Sequence, residues 1–126
     1  MHNYRNLQVY SKSLDLITHV YQATRTFPKE ELFGLTSQVR RAAVSIALNI
    51  AEGSGNSSRK EFIRFLEMAL RSTYEVMTCL ELALRLGFLS KSGLDSIMPL
   101  GDQVAAMLVG FMKTLKGEMR IATKPG

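Results

Sequence analysis

Residues 38–53 read QVRRAAVSIALNIAEG. At about 100° per residue round a helix, Val39, Ala42, Ala43, Ile46 and Ile50 fall on one face, and Val44 and Leu48 carry apolar surface to the opposite flank. The polar remainder is a narrow stripe of Gln38, Arg41, Ser45, Asn49 and Glu52, with Arg40 apart from it. A helix apolar round most of its circumference is covered on more than one side, and one small bundle covers only one. Ala42, Ala43, Ser45, Ala47 and Ala51 are small enough to let neighbouring helices come close. The stretch therefore predicts a bundle that assembles with copies of itself through Arg41, Val44, Ser45, Leu48, Asn49 and Glu52. Arg41, Asn49 and Glu52 have two readings, as hydrogen bonds and ion pairs between subunits or as ligand contacts.

Outward from this helix, predicted over about 36–52, the chain is punctuated on both sides. Gly53 stands where a left-handed residue commonly ends a helix. Upstream, Asn6 is placed as the N-cap of a first helix whose apolar stripe is Leu7, Tyr10, Leu14, Ile17, Tyr21 and Thr24, widened by Leu16, Val20 and Phe27. Pro28 stops it. Glu30 and Glu31 then precede the second helix, where negative charge suits the N-terminal dipole. Downstream, Ser58 and Glu61 have capping-box spacing and open a third helix reaching about Leu86, with Phe62, Leu66, Ala69, Thr73, Val76, Leu80 and Ala83 as its core. Gly87 closes it, and Ser92 with Asp95 is placed to cap a last helix. Pro99, with Gly101 nearby, predicts a kink or a short first segment before a main helix over about 100–116, and the end from Gly117 is expected to fray. The whole is all-α: an up-down-up-down four-helix bundle, oligomeric, forming one domain over 1–126 with a short flexible C-terminal tail.

The 126-residue chain is long enough for its own core, and its 46% hydrophobic content argues against disorder. No apolar run marks a membrane span, the N-terminus lacks the apolar segment of a signal peptide, and Cys79 has no partner cysteine. A soluble protein of the reducing cytoplasm is expected, with no membrane partner. Sixteen Lys plus Arg against eleven Asp plus Glu leave +5, an excess that permits polyanion binding without requiring it.

The matching residues FPKEELFGLTSQVRRAAVSIALNIAEG (27–53), S-x-x-x-E-F-x-x-F-L from Ser57 to Leu66, Ala69, Ser72, Glu75 and L-x-x-A-x-x-L-G from Leu80 to Gly87 are similar to a known family. It is the bacterial four-helix-bundle proteins named after reading frames in intervening sequences of 23S ribosomal RNA genes. The resemblance implies homopentamers. More distantly, it implies kinship with an accessory protein of diversity-generating retroelements, which associates with a reverse transcriptase and nucleic acid. The family name itself establishes neither ribosomal RNA binding nor catalysis.

Reactive groups are sparse. There are His2, His19 and Cys79, and no Glu-x-x-His of the carboxylate-bridged metal bundles. His19 reads as helix surface and Cys79 as an inert buried thiol, so no enzyme activity, cofactor or metal is expected. The turn GSGNSSRK (53–60) is read as a plain capped turn or as a phosphate cradle at a helix start.

Alternating helix directions place Arg5, Lys12, Arg59, Lys60, Arg64, Lys113, Lys116, Arg120 and Lys124 at one end, against Asp15, Glu52, Glu61 and Glu118. The other end is nearly balanced. Arg59, Lys60, Arg64, Lys113 and Lys116 are the residues expected to meet nucleic-acid phosphates, of RNA or DNA. The leading expectation is a non-enzymatic oligomeric scaffold binding nucleic acid, alongside a nucleic-acid enzyme. The alternative is a protein-only assembly or adaptor module whose basic end serves solubility.

Overall fold

A computed structural model describes residues 3–55 and 58–123, with the side chain of Thr123 excepted. His2, Asn56, Ser57 and Lys124 lie outside them. Four helices follow one another: α1 Gln8–Thr24, α2 Leu35–Ser54, α3 Arg59–Arg85 and α4 Lys91–Thr123. Short 3₁₀ turns at Tyr4–Asn6 and Lys29–Glu31 precede α1 and α2. There is no strand among the described residues. Each helix packs on two neighbours, α1 and α3 both lying against α2 and α4. None of the helices described is long and apolar enough to cross a membrane.

The predicted faces of α2 and α3 form the core. Val39, Ala42, Ala43, Ile46 and Ile50 are buried, as are Phe62, Leu66, Ala69, Thr73, Val76, Leu80 and Ala83. In α1 the buried face is centred on the flank expected only to widen the stripe, while Leu7, Tyr10 and Ile17 of the expected stripe pack half-buried against the core. The buried face consists of Val9, Ser13, Leu16, Val20 and Thr24, whereas Leu14 and Tyr21 are 42% and 38% exposed. Ser13 can be buried because its hydroxyl donates to the Tyr10 carbonyl at 2.6 Å, leaving no polar atom unpaired.

The helix ends differ in instructive ways. Asn3 rather than Asn6 is the capping side chain at the N-terminus, accepting from the Arg5 amide, and α1 starts after Leu7 with no side-chain cap. Glu31 is placed as expected: its Oε1 accepts from the Leu35 amide at 3.1 Å. Ser58 caps α3 by accepting from Glu61 N at 3.2 Å. Gly87 has φ +80° and ends α3, the left-handed geometry that favours glycine. Gly53, by contrast, does not end α2 in that geometry, and the helix runs on to Ser54. A Cβ there would lie 2.6 Å from Phe65 Cβ and 2.9 Å from a Phe62 ring carbon. Gly53 serves the close approach of α2 and α3.

The last helix departs furthest from expectation. Ser90, not Ser92, caps it, accepting from Gly93 N at 3.0 Å. The helix then runs through Pro99 without a break and past Gly117 to Thr123, with Met119 packed against the core.

Candidate assembly face and basic end

The outer side of α2 is left uncovered by the bundle. Arg41, Val44, Ser45, Leu48, Asn49 and Glu52, the six residues expected at a subunit contact, all line one open groove of about 500 Å³, joined by Tyr21 of α1 and by Arg40. Leu48 is 61% exposed. The groove is anchored by internal bonds. Ser45 Oγ pairs with Ser72 Oγ of α3 at 2.9 Å, and Asn49 Nδ2 donates to Ser45 O and Oγ at 2.9 and 3.0 Å. Arg40 Nε donates to Thr24 Oγ1 at 2.8 Å, and its guanidinium lies 4.6 Å from the centre of the Tyr21 ring. Sequence reasoning missed Tyr21, because the stripe drawn for α1 counted it as core.

The basic end is built from the start of α3 and the last turns of α4. Arg59 Nε pairs with Glu118 at 3.0 Å, and Arg64 lies 3.6 Å from Glu61. Lys60, Lys113 and Lys116 are exposed. Lys113 and Lys116 lie about 140° or more round α4 from Glu118, on the side turned away from Arg59. The five expected contacts thus form two groups, a cluster on the first turns of α3 and a stripe along α4. Two of the cations are partly neutralised by acids of the same end. These are exposed pairs, worth about 0 to 1 kcal/mol each, so a phosphate can displace either acid at small cost. Of the turn 53–60, Asn56 and Ser57 lie outside the described residues.

Elsewhere the chemistry is quiet. His19 is exposed, and its Nδ1 donates to the Asp15 carbonyl at 2.8 Å. Cys79 is buried. Desolvation, and then the nearby Glu75 carboxylate, push its thiol above the ordinary value. Among the described residues no three His, Cys, Asp or Glu side chains are grouped to hold a metal ion.

The family model described as 23S rRNA-intervening sequence protein matches residues 5–110. The chain belongs to this family. Its fold is similar to that of a protein of unknown function from the S23 ribosomal protein family of Bacteroides thetaiotaomicron VPI-5482. That crystal structure is 27% identical, with a TM-score of 0.75, over 83% of this chain and 98% of the other. No curated protein matches. The α2 face and the α3 cluster lie within the family match, and of the four helices only α4 extends beyond it. Residues 111–123 of that helix, with Lys113, Lys116, Glu118 and Arg120, fall outside residues 5–110.

Proposed function

We propose that this 23S rRNA-intervening sequence protein is a non-enzymatic scaffold, which assembles with copies of itself and binds nucleic-acid backbone. The groove along α2 carries the reading: six residues picked from helical periodicity line one open surface, with Leu48 61% exposed at its middle. An apolar side chain set among hydrogen-bonding groups suits a subunit contact with a polar rim. The family resemblance supports a homopentamer, and a ring would repeat the basic end on one rim. There Lys60, Lys113 and Lys116, with Arg59 and Arg64, would meet phosphates of RNA or DNA without reading bases. A nucleic-acid enzyme is the protein partner this reading favours, and a reducing cytoplasm suits the buried Cys79.

Light scattering over micromolar concentrations tests the assembly. A multiple of 14.1 kDa is expected, and Leu48→Glu should dissociate it while leaving helicity intact, because Leu48 lies outside the core. A wild-type mass of 14.1 kDa rejects the scaffold. Fluorescence anisotropy with RNA and DNA of unrelated sequence tests the second half. The Arg59–Glu118 and Arg64–Glu61 pairs favour one other reading, a protein-only adaptor whose cations are occupied internally. Absence of binding at low salt would select it.

A further inference from the structure

A second cavity, of about 340 Å³, lies where α1 passes into α2, at the end remote from the basic end described above. Arg25, Lys29 and Arg40 line it, and no acidic residue does. Thr36, on the first turn of α2, also lines it. This residue is 4% exposed, yet its hydroxyl makes no hydrogen bond with any described residue, and it is not sealed away from solvent. Water can satisfy such a hydroxyl, and because Thr36 lines this cavity a guest bound there can take the place of that water.

The backbone and the cations favour the same kind of guest. Glu31 Oε1 takes the Leu35 amide, so this helix start already attracts one carboxylate. The amides that follow have no acceptor within the helix, and the positive end of the α2 dipole adds to their pull on an anion. The C-terminal end of α1 opposes it, but Arg40 is fixed there by Thr24 Oγ1 at 2.8 Å and by stacking on Tyr21. Its charge offsets the α1 carbonyls, and part of its guanidinium fork stays free to donate. Arg25 and Lys29 are exposed at the mouth, and Phe27 and Leu32 give the cavity an apolar wall.

We propose that this cavity is a binding site for a phosphate dianion, free or carried as a phosphomonoester. Thr36 and Arg40 hold the inner oxygens, and Arg25 and Lys29 close over the outer ones. Arg40 also lines the α2 groove, but the site does not require that the chain assemble there.

The test is calorimetric titration of the full chain, at constant ionic strength, with inorganic phosphate and with a nucleoside 5′-monophosphate. Saturable binding of at least one is expected. Thr36→Val and Lys29→Gln should each weaken it about tenfold, the scale of a lost hydrogen bond to a charged group. Thr36→Val should keep the thermal midpoint, since the hydroxyl bonds nothing in the protein; Lys29→Gln alters only an exposed side chain and decides the matter if it does not. Arg85→Gln removes the same charge from the same end outside the cavity, and should change nothing. Tighter binding of the monophosphate means that its organic group rests on the Phe27 and Leu32 wall, whereas equal binding means that the phosphate alone is read; either supports the site. Failure of both ligands to saturate the wild type overturns it. So does an Arg85→Gln loss as large as that of Lys29→Gln.

Discussion

Gly53 and Gly110 both stand inside helices and make opposite demands. Replacing Gly53 with Ala forces a Cβ against Phe65 and Phe62, at 2.6 and 2.9 Å, so α2 and α3 must separate. A loss of about 1–3 kcal/mol is expected from such overpacking. Gly110 has no neighbour within 4 Å of the same position, and Gly110→Ala should gain about 0.5–1 kcal/mol from helix propensity alone. Urea denaturation midpoints moving in opposite directions check both. Cys79 gives a pH prediction. Its thiol is raised in the folded chain by burial and by Glu75, so the folded state holds its proton more tightly than the unfolded one. The stabilisation is complete below the ordinary thiol value of about 8.5, and is lost as pH rises from there through the raised folded value. Cys79→Ala should flatten that alkaline decline in stability. At this scale the sequence was hardest to read where polar groups satisfy themselves. Leu14 and Tyr21 fall on the apolar stripe of α1 yet are exposed, while Ser13, outside that stripe, is buried. The Ser13 bond to the Tyr10 carbonyl is what makes that burial tolerable, and it has no signature in hydrophobic spacing.

Among the elements, α3 and α4 show where periodicity outranks punctuation. The three-four rhythm of α3 meets no interruption, and every residue assigned to its core is buried. In α4, Pro99 should have broken the helix, since its ring removes the hydrogen bond to the Asp95 carbonyl and crowds it. Yet Leu94 and Ile97 before it, and Val104, Leu108 and Leu115 after it, are all buried on one side. A break would take one of these sets out of register, so tertiary packing keeps the helix continuous through an unfavourable residue. Pro99 is exposed, so its replacement disturbs no core contact. Pro99→Ala should therefore stabilise the fold, by up to about 3 kcal/mol if the missing bond forms fully, and raise the thermal midpoint. The α2 face was legible for a related reason. A helix with apolar residues on opposed sides has more surface to cover than its own bundle provides, and the six residues drawn from that pattern share one groove.

At the scale of the whole molecule, the distribution of charge was readable only in part. Alternating directions place the cations at the correct ends, but spacing along the chain does not reveal that Glu118 reaches Arg59 across two helices. Nor does it bring Arg25, Lys29 and Arg40 round one cavity. The prediction for the basic end follows from position. If Arg59, Lys60 and Arg64 meet phosphates, replacing all three with Gln should weaken RNA and DNA alike, because backbone contacts carry no sequence information. Each lost contact should reduce the magnitude of the slope of log affinity against log salt by about 0.7 to 0.9. The fold should hold, since Arg59 and Lys60 sit in the first turn of α3, where positive charge opposes the dipole. The pair each Arg makes there is exposed. A matched control must avoid both the α2 groove and the phosphate cavity. Arg71, Arg85 and Lys91 meet that condition, and all three are exposed. Changing them to Gln removes the same charge. Anisotropy titrations at several salt concentrations should show a large loss for the first triple and a small one for the second. Equal losses in two folded variants would mean that net charge alone attracts the nucleic acid, and that the end formed by α3 and α4 has no special part in binding it.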